Sequence, residues 1–475
     1  MNGVREVHHG AFASGERPFH SAGVAAKKRL DLARLPWLRP LLASRWPIFL
    51  VRTITLAGFL FTLLAGLFGS PIGSHNFAII FVWIAWWTAL KLVFIPLGGR
   101  SWCSVCPLPL PGEWLQQGGL VSKAQRRLGL GLRWPKRLRG YWLQAGLFLS
   151  IGLFSAVTLT NARLTSWILL GLIALAVLLS LLFERRAFCT YVCPIGGFTG
   201  IYAKAAPIEV RVKDRALCTT HNEKTCYIEC PWGLYPVALR DSSACGLCME
   251  CLRVCPKDNI ALNIRPFGGD LGAPRHTARL DEAFLALVML GSALVFSAVF
   301  TGPWGALKTA AFRIGSKEWL VYASVFLALN LLVLPGSFAL ATGLGRKLGH
   351  HRGSLRQAIA DQAQALLPLG LFTWIAFTIS FAFPKFAYIF SVLSDPFGWG
   401  WNLFGTAKVG AIPGDTGWIE IFQVVALLIG LMWSASLSLD LAGTDRSHRQ
   451  GWRQSLPVIF FCLAYTLVML WLLVG

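Results

Sequence analysis

Apolar residues in this chain come in long unbroken runs, not in the alternation of a half-buried strand or the one-sided stripe of a soluble helix. A run of about 18 or more uncharged residues is long enough to cross a bilayer as a helix. Nine stretches meet or approach that length: 47–68, 76–97, 141–161, 164–183, 283–300, 318–341, 366–391, 418–441 and 456–474. Between them, only 200–280 is long enough to form a water-facing unit of its own. The pattern predicts a polytopic α-helical membrane protein of about nine transmembrane helices with one inserted soluble segment.

Composition agrees. The 475 residues are 55% hydrophobic and only 14% charged, where soluble domains carry about 25% charged residues. The net charge of +22 changes the picture through its distribution. Lys and Arg crowd into 1–46, 98–140, 184–280, 342–364 and 442–455, while the alternate loops hold only Arg163, Lys308, Arg313, Lys317 and Lys408. Retention of cations on the cytoplasmic side then places the N-terminus inside and the C-terminus outside a cell membrane. Arg52, Lys91 and Lys385 fall near span ends, where long side chains snorkel to the interface. The charge is thus a topology signal and no nucleic-acid footprint. The basic segment 1–46 lacks the pattern of a cleaved signal peptide and reads as a cytoplasmic tail against lipid headgroups.

The first half repeats itself. Arg100-Ser101-Trp102-Cys103-Ser104-Val105-Cys106-Pro107 follows the second span, and Arg186-Ala187-Phe188-Cys189-Thr190-Tyr191-Val192-Cys193-Pro194 follows the fourth. The first motif is C-x2-C-P and the second C-x3-C-P. Both emerge on the cytoplasmic side by the charge pattern, so the two hairpins are expected to bring the cysteine pairs together. Four such thiolates could bind a cluster or a single metal ion, or act as a redox-active dithiol set. Cys462, alone in the last span, reads as core.

Cys245-x2-Cys248-x2-Cys251-x3-Cys255-Pro256 is the sharpest motif. Three thiolates at this spacing wrap one corner of an iron–sulfur cubane, and the fourth, before proline, ligates the neighbouring cluster in two-cluster ferredoxins. Zinc sites more often pair two C-x2-C units across a longer gap. A stretched copy precedes it, with Cys218, His221, Cys226 and Cys230-Pro231. With crossed ligation, Cys245, Cys248, Cys251 and Cys230 hold one [4Fe–4S] cluster. Cys218, Cys226 and Cys255 hold a second, one ligand short. His221 is a candidate for that position; a loop histidine with another donor, or a three-iron cluster, are the alternatives. No histidine lies in a predicted span, so no intramembrane bis-histidine haem is expected, and no dinucleotide fingerprint or P-loop occurs.

These residues together resemble the membrane polyferredoxin family. That family includes the quinol-oxidising membrane subunit of periplasmic nitrate reductase systems, the nitrous oxide reductase regulator and copper-reducing oxidase assembly proteins. The resemblance covers about residues 47–265; the five C-terminal spans match nothing in it. The family uses C-x3-C-P twice, so Cys103/Cys106 departs from the pattern, as does the Cys218–Cys230 stretch. The expected organisation is a tail (1–46), a four-span repeat (47–199), a cytoplasmic ferredoxin-like α+β domain (200–280) and a five-span membrane domain (281–475). The expected function is electron transfer through [4Fe–4S] clusters at the cytoplasmic face. Quinol is a candidate donor, and a redox protein or respiratory complex is the expected partner. An assembly factor reducing a metal ion such as copper at Cys103, Cys106, Cys189 and Cys193 is the alternative, since soft thiolates suit reduced copper. A transporter or sensor with a regulatory cluster is a third.

Overall fold

The computed structural model describes residues 29–117, 119, 121, 128–272, 279–302, 304–350, 353–411, 417–443 and 448–475. Residues 1–28, most of the expected tail, lie outside them. Among the described residues eight helices are long and apolar enough to cross a membrane. They are α1 (Trp46–Phe68), α2 (Phe77–Gly98), α3 (Ala162–Leu182), α4 (Leu280–Phe300), α5 (Lys317–Leu348), α6 (Leu355–Lys385), α7 (Gly417–Gly443) and α8 (Arg449–Leu473). Each overlaps one of the predicted stretches.

The remaining stretch, 141–161, takes a different form. It is a 12-residue helix, Trp142–Leu153, followed by the short helix Ser155–Thr158, with Phe154 between them at φ −97° and ψ 11°. Twelve residues span about 18 Å, against about 30 Å of bilayer hydrocarbon. Buried polar groups lie on either side of the break. Gln144 donates to the Cys189 carbonyl at 3.2 Å, and the Thr165 hydroxyl bonds the Thr158 carbonyl at the broken end. The pattern of apolar residues carries no trace of these demands.

The core gathers around Trp374 of α6, which is fully buried. Phe198, Phe296, Phe377, Phe148 and Trp87 surround it with ring centroids 5.3–6.5 Å away, mostly edge to face, the arrangement that aromatic quadrupoles favour. Lys91 in α2 is a correction to the sequence reading. It does not snorkel: it is 1% exposed, has no hydrogen-bond partner, and sits 5.0, 5.1 and 5.3 Å from the ring centroids of Trp87, Trp374 and Phe377. Cation–π attraction from three rings offsets part of the hydration it has lost.

A small antiparallel sheet in the order β1-β3-β2 joins β1 at Leu30–Asp31, ahead of α1, to β2 at Ile208–Val212 and β3 at Ile260–Ile264, which lie between α3 and α4 in the chain. Val210, Ile260 and Leu262 pack on Ala33, Met249 and Leu252. Residues 29–45 are therefore no free tail. Leu30 pairs with Ile264, and Arg29–Glu209 (3.0 Å), Arg39–Asp258 (2.9 Å) and Arg45–Glu250 (3.2 Å) tie the segment down. Fully buried Lys204 pairs with Glu282 at the start of α4 and lies 3.7 Å from Asp241, clamping the sheet region to the helices.

Candidate iron–sulfur sites

The two Cys-Pro motifs face each other through a reciprocal exchange of arginines. Arg100, three residues before Cys103, donates to the Cys189 carbonyl at 3.1 Å. Arg186, three residues before Cys189, donates to the Cys103 carbonyl at 2.6 Å. Each repeat thus holds the other's first cysteine by its backbone. Equivalent positions share unusual geometry as well: Gly99 and Arg185, each one residue before the exchanged arginine, both adopt positive φ, 57° and 64°. Cys106 and Cys193 have nearly the same backbone angles, φ −59° with ψ 129° and 119°, in the extended region that a following proline imposes.

The extra residue of the second motif is absorbed locally. Phe188–Val192 forms a π turn in which the Cys193 amide reaches back to the Phe188 carbonyl at 2.8 Å, whereas Ser101–Val105 is ordinary α-helix. The wider turn takes in one more residue and still delivers both cysteines. All four interact electrostatically with one another. Cys103, Cys189 and Cys193 are buried, and Cys106 is half-buried. Burial pushes Cys193 up to about 12 and holds Cys189 and Cys106 well above the ordinary thiol range. Burial that disfavours the thiolate makes a free thiol less nucleophilic, while coordination to a metal deprotonates a thiol outright.

The second set lies in 218–255. Cys230, Cys245, Cys248 and Cys251 line one cavity, as crossed ligation requires. Its wall is a loop wound tightly enough to put Leu247 and Met249 at φ 54° and 61°, a left-handed conformation that non-glycine residues adopt at a cost. Backbone amides aim at sulfur: Leu234 N–H donates to Cys230 Sγ at 3.3 Å, and those of Leu247 and Glu250 serve Cys245 and Cys248. Four thiols around one cavity with N–H···S donors are the kind of donor set that iron–sulfur clusters take, and the potential of such a cluster depends on bonds of this type. Cys218, Cys226 and Cys255 interact as a second group, with Asn259 donating to Cys218 Sγ and Cys255 Sγ, both at 3.2 Å. His221 caps the helix carrying Cys218 and leaves its Nδ1 buried without a hydrogen-bond partner. No group of three or more His, Cys, Asp or Glu among the described residues is drawn tightly enough to hold a single metal ion; a cubane spreads its ligands more widely than one ion does.

Trp232 stands between the two cysteine sets. It packs with Cys103 of one and Cys248 of the other, and it lines the Cys230/Cys245/Cys248/Cys251 cavity. An apolar cleft is walled by Leu108, Pro194 and Ile195 of the Cys-Pro motifs and by Trp86, Trp87 and Phe377.

Two repeats built alike invite comparison with other proteins. A family described as a 4Fe-4S binding domain matches the chain twice, over 79–130 and 165–213. Those ranges contain Cys103 and Cys106 in one copy and Cys189 and Cys193 in the other. The two matches support a membrane-type polyferredoxin family for this stretch. Its resemblance extends to the methylamine utilization ferredoxin-type protein MauN of Paracoccus denitrificans, 28% identical over 156 residues, which are 30% of this chain and 52% of that protein. MauN of Methylorubrum extorquens is 29% identical over 144 residues, 27% and 47% of the two chains. MauN of Methylobacillus flagellatus is 25% identical over 173 residues, 34% and 50%. The chain thus spans about half the length of the curated relatives it matches. No solved structure matches. The match to a 4Fe-4S family indicates cluster binding.

Sequence reasoning named every cysteine described above but passed over Trp232, Gln144 and the role of the arginines. The signal for Arg100 and Arg186 was present, since both repeats begin on them. Nothing in the sequence pointed to Trp232 beyond its place two residues after Cys230.

Proposed function

We propose that this chain is a membrane-bound electron-transfer protein in which Cys230, Cys245, Cys248 and Cys251 hold a [4Fe–4S] cluster. The cavity lined by those four thiols carries the reading. Cys218, Cys226 and Cys255 hold a second cluster, with the buried, unbonded Nδ1 of His221 as the candidate for the remaining position. Cys103, Cys106, Cys189 and Cys193 hold a third group of iron–sulfur type. Clusters so bound accept and release single electrons. The chain's own part is to shield the sulfurs, aim amides at them and keep the sets close, with Trp232 between two of them.

The eight apolar helices cross the membrane, and the pair Trp142–Leu153 and Ser155–Thr158 makes a ninth traverse. Asn161, at the end of that pair, bridges to Ile72 in the turn between α1 and α2, so the broken segment returns to the far side before α3 leads back to Cys189. The cation-rich face carrying both cysteine sets is cytoplasmic. A quinol is the donor: the apolar cleft beside the Cys-Pro motifs suits a flat ring, being mostly hydrophobic with few polar atoms, among them the unbonded Trp86 indole N–H. Anaerobically purified protein mixed with a reduced naphthoquinol is expected to show bleaching of its visible iron–sulfur absorbance. No bleaching with any quinol analogue, in protein that dithionite does reduce, would exclude a quinol as donor.

A further inference from the structure

Buried Arg186 joins the Cys-Pro motifs to the ferredoxin-like segment, and it is not a ligand. Arg186 is 4% exposed. Its guanidinium donates to the Cys103 carbonyl, pairs with buried Glu113, and lies 4.5 Å over the Trp232 ring. Its own backbone N–H donates to the carbonyl of Pro231, the residue between Cys230 and Trp232. Its side-chain Nε is buried with no hydrogen-bond partner. Both Cys189 and Cys248 lie within its electrostatic range. This cation therefore lies buried between the two cysteine sets; Arg100, also buried, bonds the Cys189 and Ser243 carbonyls.

The neighbouring residue shows what holding this junction costs. Arg185 has φ 64°, where the first repeat uses Gly99. A glycine would relieve the strain, yet the arginine is present, and its guanidinium bonds the Tyr227 and Cys230 carbonyls at 2.9 and 3.0 Å and stacks on Tyr227 at 4.3 Å. Consecutive arginines of the second repeat thus grip the segment from Tyr227 to Trp232. The first repeat has no such grip, because Gly99 has no side chain.

We propose that Arg186 is a positioning residue that sets the reduction potentials of the Cys-Pro site and the Cys230/Cys245/Cys248/Cys251 site together, with Glu113 moderating its charge. The inference rests on the reading that both sets bind iron–sulfur clusters. Adding one electron to either site places a negative charge near the guanidinium, and in a water-poor interior that attraction is strong. A cation nearby therefore raises the potential of each site, and Glu113 offsets part of the effect.

The test is a potentiometric titration, followed by electron paramagnetic resonance, of wild-type, Arg186→Gln, Arg186→Lys and Glu113→Gln proteins, with iron and sulfide counted in each. Both sites are expected to become harder to reduce in Arg186→Gln, to become easier to reduce in Glu113→Gln, and to stay near wild type in Arg186→Lys. Equal iron content with only one site shifted, or with neither shifted, overturns the shared role. If Arg186→Gln fails to load iron, the opposite shift in Glu113→Gln decides alone. A wild-type protein with no cluster signal beyond those of the Cys218–Cys255 segment overturns the cluster reading of the Cys-Pro site, and the shared role with it.

Discussion

Gly246 lies between Cys245 and Cys248, and its missing side chain is what lets Trp232 sit against the cluster loop. A Cβ built there would meet three carbons of the indole's six-membered ring, the farthest of them at 2.8 Å, where ordinary contact begins near 3.4 Å. The indole cannot yield cheaply. It is buried, rigid, and covered by Arg186 at 4.5 Å. Forcing one methyl into a packed site costs about 1–3 kcal/mol, and three clashes with a rigid ring put Gly246→Ala at the upper end. That is on the order of a hundredfold shift in the equilibrium between the closed and opened loop. Anaerobic chemical denaturation, followed by loss of iron–sulfur absorbance, should show a clearly lower midpoint and reduced iron content for Gly246→Ala. In a Trp232→Leu background the same change should cost little, because the ring atoms it strikes are gone; contacting residues couple in this way. A Gly246→Ala protein with wild-type midpoint and iron, or one equally damaged in both backgrounds, would refute the packing described here.

Lys91→Met removes a buried cation that has no hydrogen bond and keeps its length. The desolvation cost of an ion is several kcal/mol, more than a few cation–π contacts of about 2 kcal/mol or less restore, so the melting temperature should hold or rise; a fall of several degrees would count against that balance. Metal-free protein should alkylate slowly at Cys193 and Cys248 at pH 8–9, since burial pushes both up to about 12. Because the folded state keeps protons that the unfolded chain releases near pH 8.5, the stability of the metal-free form should be full below that pH and decline as pH rises toward 12; thermal melts across that window check the sign. His221→Ala should alter the resonance spectrum of the reduced protein, and an unchanged spectrum would remove His221 from the ligand set.

Much of this molecule was legible because its signals are local. Apolar runs give helices directly, and a C-x2-C-x2-C loop is short enough that its spacing alone fixes which thiols meet. Cys230 is expected with Cys245, Cys248 and Cys251 only through the crossed ligation of two-cluster ferredoxins, and no local spacing implies it. The repeat was legible as a pattern, yet its physical meaning, two arginines exchanged across a pseudo-symmetric junction, needs contacts more than 80 residues apart in the chain. Long-range pairing also hid β1, whose two residues become a strand only because Ile264 and Asn263 offer an edge. Lys91 was misread because hydropathy sees its position near a span end and not the three rings around it. The break at Phe154 is hidden as well, because an unbroken apolar run carries no mark of where its helix is interrupted.

Iron and acid-labile sulfide per chain, measured with the low-temperature resonance spectrum of anaerobically purified wild-type and Cys248→Ser proteins, test the central claim most directly. The arrangement of Cys230, Cys245, Cys248 and Cys251 around one cavity predicts [4Fe–4S] signals in the wild type and a loss of about four irons with one cluster signal in Cys248→Ser. Wild-type iron content in the variant, or zinc in place of iron in the parent, would contradict it.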